Sequence, residues 1–324
     1  MRRFPVMCAL LALAALNALA TSQAATTVAP GIELIAGTFV PNHQPDGNSI
    51  LFRTTAGFVV VDTGRHAAHT QQIIELAQQA GQPIAAVINS HWHLDHVGGN
   101  PRVRAAYPHA RFYASDALAD ALKGFLANYR AQLEQAIAQS SDDQAKQAWR
   151  DEIAIIDAGA KLAPDELVRG SRTLTIGGRT LQLHLEKHSV TAGDVWVLDP
   201  DAHVLVAGDL VTLPVPFLDT ACPAHWKTAL DDLAHADFRQ LIPGHGAPMS
   251  RADFETYRKA FGKLLVCAGG KSPKSACIDG WIGDASPLIA ETDRAFAKTL
   301  LDYYIDNALR ADPKKTAKLC GETS

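Results

Sequence analysis

The chain has 324 residues, of which 47% are hydrophobic and 20% are charged, and its formal net charge at pH 7 is −4. This composition is typical of a globular protein with a sizeable core, and it excludes disordered, collagen-like and coiled-coil chains. Proteins that bind nucleic acids or anionic membranes are usually basic, and this chain is not, so neither is an expected partner.

The first 24 residues have the features of a cleaved export signal. Two arginines precede an uncharged apolar run over residues 4–20, and Ser22-Gln23-Ala24 matches a signal-peptidase site. An uncleaved membrane anchor is the alternative, but it needs about 20 apolar residues, and this run is shorter and interrupted by a proline and an asparagine. Cleavage removes two arginines and no acidic residue, so the net charge of −4 becomes −6. We expect a periplasmic or secreted protein without stable membrane insertion.

Export changes the interpretation of the cysteines. The four that remain, Cys222, Cys267, Cys277 and Cys320, allow two disulfides in three pairings in an oxidising compartment. We expect a Cys267–Cys277 bond, because the short Gly-, Ser- and Lys-rich loop between them gains from closure, and this leaves Cys222 to pair with Cys320. A cysteine metal site is the alternative, but no C-x-x-C spacing supports it.

The first part of the chain alternates strands with one helix. Runs rich in Val, Ile and Phe predict strands at 32–35, 49–53, 58–62 and 84–89. Apolar residues at helical spacing between the last two strands predict a helix that ends before Gly81. Asp62, at the end of the strand in "VVVDTG", either caps the following turn or supports a site, and the pattern does not decide between them.

A helical insertion is expected over about 114–162. Ser115 should cap a first helix whose apolar residues share one face, and a second helix over about 142–160 should pack against it. We interpret Phe125 and Tyr129, on the apolar face, as packing rather than as a binding surface.

Strands then resume. "TLTIGGRTLQLHLE" predicts a hairpin turning at Gly177-Gly178, "DVWVLDPDAHVLVAGD" predicts another turning at residues 199–202, and "RQLIPGHG" predicts a short last strand. Helices are expected at about 251–266 and 287–310, within a C-terminal extension over about 251–320. Because no long linker or repeat divides the chain, residues 25–324 are expected to form a single α/β domain with sheets inside and helices outside.

The segment "NSHWHLDHVGGN", residues 89–100, concentrates metal-binding side chains. His91 and His93 are alternate residues just past a strand, so they can converge on one divalent ion, while Asp95 and His96 face a neighbouring one. The two glycines that follow let the backbone fold tightly beneath the ions. A polar loop without metal is the alternative, and one short motif does not exclude it.

The remaining ligands should come from the ends of later strands. Asp209 closes the apolar run "HVLVAGD", and His245 closes "LIPGHG". His188, in "EKHSVTAGD", precedes the next strand and is the expected last ligand of the first ion, with the nearby His184 in reserve.

These motifs resemble the metallo-β-lactamase superfamily. "HWHLDH" is similar to its H-x-H-x-D-H motif, and "VVVDTG", "VLVAGD" and "PGHG" resemble its other landmarks, over about Gly31 to Met249. The resemblance implies a four-layer αβ/βα sandwich with two divalent metal ions, usually zinc, at one edge. It implies a first ion bound by His91, His93 and His188, a second bound by Asp95, His96 and His245, and a bridging Asp209.

The chain departs from this family at two positions. "HSVTAGD" has two extra residues after its histidine, so a strict alignment puts Val190 at the ligand position. Either the longer loop still lets His188 reach the metal, or the first site is weakened. In addition, β-lactamases of the family commonly have Cys or Ser where this chain has Asp209, which resembles instead the hydrolases that cleave thioesters, lactones or phosphoesters.

We expect an exported binuclear metal hydrolase that acts on a small molecule. Two bound cations lower the pKa of the water they share, to about 7 for zinc, so that a bridging hydroxide attacks an ester, thioester, lactone or related carbonyl, and Asp95 could shuttle a proton. β-Lactam hydrolysis is one alternative, and a non-catalytic or redox metal protein is another. The oxygen-rich second site also admits iron or manganese.

The segment after Asp209 is the expected border of the substrate pocket. Pro214, Phe217 and Trp226 suggest an apolar substrate flank, although a loop packed under Cys222 explains them equally well. Trp92 is expected to pack away from the metal side. The leaving group and the oligomeric state stay open.

Overall fold

The structure, a computed structural model, describes residues 25–38 and 44–322, so the predicted export signal lies outside the described residues. The first sheet runs in chain order and consists of β1 (Thr26–Ala29), β2 (Ile32–Ile35), β3 (Ser49–Thr54), β4 (Gly57–Val61), β5 (Ile84–Ile88), β6 (Arg111–Ala114) and β7 (Glu166–Leu167). Strands β4 to β7 pair in parallel, whereas β1 to β4 pair antiparallel.

The second sheet has the order β13-β12-β11-β10-β9-β8. Its strands are β8 (Arg172–Ile176), β9 (Arg179–Lys187), β10 (Gly193–Asp199), β11 (Val204–Thr212), β12 (Gln240–His245) and β13 (Met249–Ser250). Only β11 and β12 pair in parallel among the described strands of this sheet. Both predicted hairpins are present, and Gly177 and Gly178 turn the first of them with positive φ angles of 51° and 79°.

The helices of the first half are α1 (Ala67–Gln79), α2 (Leu94–Val97), α3 (Asn100–Ala106), α4 (Ala117–Lys123), α5 (Phe125–Gln139) and α6 (Asp143–Asp157). Those of the second half are α7 (Pro223–His235), α8 (Arg251–Gly269), α9 (Lys274–Asp284), α10 (Arg294–Tyr304) and α11 (Pro313–Leu319), with a π-helical turn at Ile305–Leu309. None of the described helices is long and apolar enough to cross a membrane.

Three apolar layers hold the sandwich together. The central layer joins the two sheets through side chains such as Val61 and Val197. One outer layer packs α1 and α3 on the first sheet, and the other packs the C-terminal helices on the second sheet, where Trp226 and Trp281 are fully buried. Helices outside two face-to-face sheets confirm the predicted four-layer αβ/βα sandwich.

One predicted helix is wrong in detail, and one helix of the structure is not predicted. The hydroxyl of Ser115 donates a hydrogen bond to the carbonyl of Gly193 instead of capping a helix, and Gly124, with φ −109° and ψ −96°, divides the expected long helix into α4 and α5. The predicted loop before Cys277 also turns helical after Pro273, so α9 was missed.

Both disulfides form with the expected pairing. Cys267–Cys277 joins α8 to α9, and Cys222–Cys320 joins the start of α7 to the end of α11. The second bond therefore ties the C-terminal segment to the loop that follows β11.

Candidate metal centre

Six of the seven predicted ligands come together in two groups. Within each group the candidate ligand atoms lie within 4.8 Å of one another, and the groups are His91, His93 and Asp209, and Asp95, His96 and His245. The backbone explains the division of the β5–α3 segment. It is extended at His93 and helical from Leu94 onward, so consecutive side chains turn towards different sides.

Asp209 stands between the two groups. It follows Gly208, where φ is 54° and the pairing of β11 with β12 shifts register. Its Oδ1 lies 3.2 Å from Nε2 of His96 and 3.6 Å from Nε2 of His245. Its Oδ2 lies 3.8 Å from Nε2 of His91. One carboxylate thus faces both groups, as a bridging ligand would.

The unpaired atoms of this cluster fit a cation. Nε2 of His91, His96 and His245 and Oδ1 of Asp209 are buried and make no hydrogen bond of good geometry. Leaving a buried polar atom unpaired costs about 1–3 kcal/mol. Imidazole nitrogens and carboxylate oxygens around one small space are the donors that zinc takes, and oxygen-rich sets also suit iron or manganese.

The charges of the cluster also favour a bound cation. Burial lowers the pKa of His93 to about 4 and lowers the pKa of His91 well below its ordinary value, so both imidazoles are neutral and offer a lone pair. Burial also opposes the charge of His96, but Asp209, Asp62 and Asp95 outweigh it and hold its pKa well above the ordinary value. The carboxylates therefore favour a positive charge at this place.

Comparison with known proteins identifies the family. The model of the metallo-β-lactamase superfamily matches residues 44–265. The chain belongs to the metallo-β-lactamase superfamily.

The similar proteins are hydrolases of different kinds. The chain is 27% identical to a linear primary-alkylsulfatase from Pseudomonas sp. over 218 residues, which are 60% of this chain and 40% of that protein. It is 37% identical to a hydroxyacylglutathione hydrolase from Synechococcus sp. over 73 residues, 22% of this chain and 24% of that one. The chain thus spans less than half the length of either curated relative. A metallo-β-lactamase from Pontibacter korlensis shares the fold, with a TM-score of 0.55, 19% identity and coverage of 74% of this chain and 98% of that one.

Asp62 contacts the candidate ligands, which answers the question its position raised. Its Oδ2 lies 2.8 Å from Nδ1 of His96, and its two oxygens accept hydrogen bonds from the backbone N–H and hydroxyl of Ser90. The Ser90 hydroxyl in turn lies 3.0 Å from Nδ1 of His91. One carboxylate therefore orients both imidazoles with Nε2 towards the centre.

His93 is oriented from the opposite side of the sandwich. Its Nε2 lies 3.0 Å from the hydroxyl of Thr220, and that hydroxyl donates to the carbonyl of Val190. Its Nδ1 is therefore the nitrogen free to face an ion.

The predicted superfamily ligand His188 does not join the centre. Its Nδ1 lies 3.2 Å from the carbonyl of Leu319, and its ring fills the space above Gly321, where an added Cβ would collide with it. The longer loop turns this side chain towards the C-terminal segment. The reserve candidate His184 stacks on Trp196, with 3.8 Å between ring centroids, and is also outside the two groups.

Two charged residues beside the candidate metal centre are not predicted from the sequence. Arg65 lies 3.5 Å from Oδ1 of Asp95 and 2.5 Å from Oε2 of Glu152, and both its partners are buried with it. Burial alone would lower the pKa of Arg65, but Glu152 and Asp95 outweigh it and raise the value. Arg65 directly follows "VVVDTG", which is a usable signal, whereas Glu152 looks like any acidic residue of an amphipathic helix.

Some aromatic residues near the candidate metal centre belong to the packed core, and others are partly exposed. Trp226 is fully buried and donates to the carbonyl of Leu210, and Pro214 accepts from Trp281, so both belong to the packed loop. Phe217 is partly exposed and its ring lies 6.0 Å from that of His245.

At the other end of the centre, Trp92 packs beside His93, with 4.6 Å between ring centroids. It also contacts Phe125, at 5.4 Å. Phe125 is 47% exposed, so only about half of its surface packs as expected.

Proposed function

We propose that the protein is an exported, metal-dependent hydrolase whose two ligand groups hold two divalent ions, zinc in the first place. The observation that carries the proposal is the set of buried, unpaired ligand atoms around Asp209. When bound, such ions polarise a carbonyl or similar oxygen and make a water molecule acidic enough to be a nucleophile at neutral pH.

Asp95 is the residue that we assign to proton transfer. Its Oδ2 lies 3.0 Å from Nε2 of His245 and its Oδ1 faces Arg65. Burial opposes the charge of Asp95, but His96, His245 and Arg65 hold its pKa well below the ordinary value. Asp95 is therefore ionised at neutral pH, which is the protonation state that can accept a proton from the attacking water and pass it to the leaving group.

The rim residues favour substrates with an apolar flank. Phe217 lies beside His245, with 6.0 Å between ring centroids, and the half-exposed Phe125 lies against Trp92, the buried neighbour of His93. Burying an aliphatic chain against exposed aromatic rings contributes about 25 cal/mol per Å² of apolar area. We infer that the substrate is an ester, thioester or lactone that carries such a chain.

A sulfate ester is a second candidate. The longer of the two curated matches is to a linear primary-alkylsulfatase, and an alkyl group suits the same apolar rim. Hydrolysis of a β-lactam stays an alternative, because the structural likeness to a metallo-β-lactamase concerns the fold alone.

The test is a panel of chromogenic substrates assayed with zinc-loaded, chelated and zinc-restored protein. The panel contains aliphatic esters of increasing chain length, a thioester, a lactone, an alkyl sulfate and a cephalosporin. We expect chelation to abolish hydrolysis, zinc to restore it, and kcat/KM to rise with chain length. Hydrolysis by fully metal-free protein would contradict the proposal, and an unreactive but metal-loaded protein across the panel would favour a non-catalytic metal protein.

Replacing Asp209 tests the centre itself. Asp209→Ala removes the shared carboxylate, so we expect bound zinc and hydrolysis to fall together, with kcat/KM at least about 100-fold lower. Asp237→Ala is the control, because the Asp237 side chain is 87% exposed. Full activity in Asp209→Ala protein that has lost its metal would rule out this assignment.

Export is part of the same proposal. The two disulfides support it, because such bonds persist in oxidising compartments. N-terminal sequencing of the mature protein should begin at residue 25, after the predicted cleavage site.

A further inference from the structure

The two ligand groups receive unequal numbers of protein donors. Asp95, His96 and His245 form one group, and the Oδ1 of Asp209 lies nearest to it, at 3.2 Å from His96 and 3.6 Å from His245. This group therefore has four side-chain donors at hand. The other has the two imidazoles of His91 and His93 and only the more distant Oδ2 of Asp209.

The loop between β9 and β10 supplies no further donor to the weaker group. His188 lies against Gly321 with its Nδ1 at the Leu319 carbonyl. Val190 is apolar, and its carbonyl is the acceptor of the Thr220 hydroxyl.

Hydrogen bonds fix the conformation of this loop. The N–H groups of Val190 and Thr191 both donate to the carboxylate of Asp194, and the N–H of Cys222 donates to the carbonyl of Ser189. Cys222 is disulfide-bonded to Cys320, next to the carbonyl that His188 faces. Moving His188 to the centre would break contacts on both sides of the loop.

We propose that the chain binds its two metal ions unequally, one tightly through Asp95, His96, His245 and the nearer oxygen of Asp209, and the other weakly and exchangeably through His91, His93 and the more distant Oδ2 of Asp209. The inference rests on the proposed metal-dependent hydrolase. Losing one supporting residue of a ligand commonly lowers metal affinity 10–100-fold, and a missing ligand lowers it at least as much. We therefore expect the two zinc dissociation constants to differ by about 100-fold or more.

The test uses full-length apo protein, titrated with Zn²⁺ against a chromogenic chelator, and the zinc retained after gel filtration in a dilute chelator. Wild type should retain one ion per chain and bind a second only at higher free zinc. His245→Ala should lose the retained ion, whereas His91→Ala should keep it and lose the weak step. Circular dichroism of each variant checks that it is folded.

His188→Ala provides the sharpest comparison, with His184→Ala as the matched control. Both should keep the wild-type pattern of one tight and one weak ion, because neither ring is a ligand. Loss of the second ion in His188→Ala alone would show that His188 turns in when metal binds and would overturn the proposal. Two ions of equal affinity in wild type would also overturn it while leaving the hydrolase proposal intact, and no binding at any zinc concentration would overturn both.

Discussion

Two loops at the candidate metal centre behave in opposite ways. The loop after β5, residues 89–99, offers four candidate metal ligands on a backbone fixed by Asp62 and by the paired amides of Asn89 and Asn100. The loop after β9, residues 188–192, offers none, because Asp194 folds its backbone and its histidine faces the C-terminal segment.

Each loop is held by a different addition to the shared sandwich. The helical insertion reaches the first loop through Glu152, Arg65 and Asp95. The C-terminal extension reaches the second through the Cys222–Cys320 bond. The contrast teaches that the contacts behind a loop, and not the histidines within it, decide whether it supplies a ligand.

Replacing Asp62 should have the largest effect, because it removes the support of the first loop. Asp62→Ala leaves His96 and, through Ser90, His91 without their partner, so we expect zinc affinity to fall about 100-fold in each group. Zinc titration against a chelator measures this loss. Asp199→Ala is a matched control, since Asp199 is equally buried but pairs with Arg179. An equal loss of zinc in both variants would mean that Asp62 acts only through general stability.

Glu152→Gln should separate the helical insertion from the first loop. Arg65 would keep only Asp95 as a close charged partner. Breaking a buried ion pair lowers the free energy of unfolding by about 3–5 kcal/mol. Because the glutamine amide still accepts a hydrogen bond from Arg65, we expect a smaller loss of about 2 kcal/mol. Urea unfolding measures the difference. Glu134→Gln on the same insertion breaks an exposed pair with Arg130 and should leave the stability nearly unchanged. Similar losses in the two variants would contradict a special role for Glu152.

The sequence predicts the parts of this picture that depend on local patterns. Alternating apolar runs predict the strands of the sandwich, and "HWHLDH" places four candidate ligands within six positions. His188 and Glu152 could not be judged locally. The carbonyl that His188 faces is 131 positions away, and the cation that Glu152 meets is 87 positions away. Such partners become neighbours only through the tertiary fold.

Thr220→Val tests the hydroxyl that links the second loop to the centre, because Thr220 donates to the Val190 carbonyl and contacts Nε2 of His93. The variant keeps the shape of the side chain but leaves Nε2 of His93 without its hydroxyl partner. We expect the weaker zinc step to lose about 10-fold in affinity and the tight step to stay unchanged. Thr228→Val, on the exposed face of α7, is the control. A change in the tight step instead would assign Thr220 to the other group.

His66→Gln should have the smallest effect and tests the backing of the first loop. His66 pairs with Asp46, whose Oδ1 also holds the backbone of Arg65. The hydrogen bond to Asp46 raises the pKa of His66, although burial opposes this. A raised histidine pKa contributes stability that is full below the unfolded pKa of about 6.5. This contribution is lost as pH rises through the folded pKa.

The substitution should therefore destabilise the protein more at pH 6 than at pH 9. The urea midpoints of metal-free His66→Gln and wild-type protein, compared at each pH, measure the change in stability. His109→Gln, which replaces an exposed histidine, is the control measured at the same two pH values. Because the His66 side chain is 39% exposed, solvent weakens the pair and the shift should be small. An equal or larger destabilisation at pH 9 would show that neutral His66 packs the loop and that its charge contributes nothing.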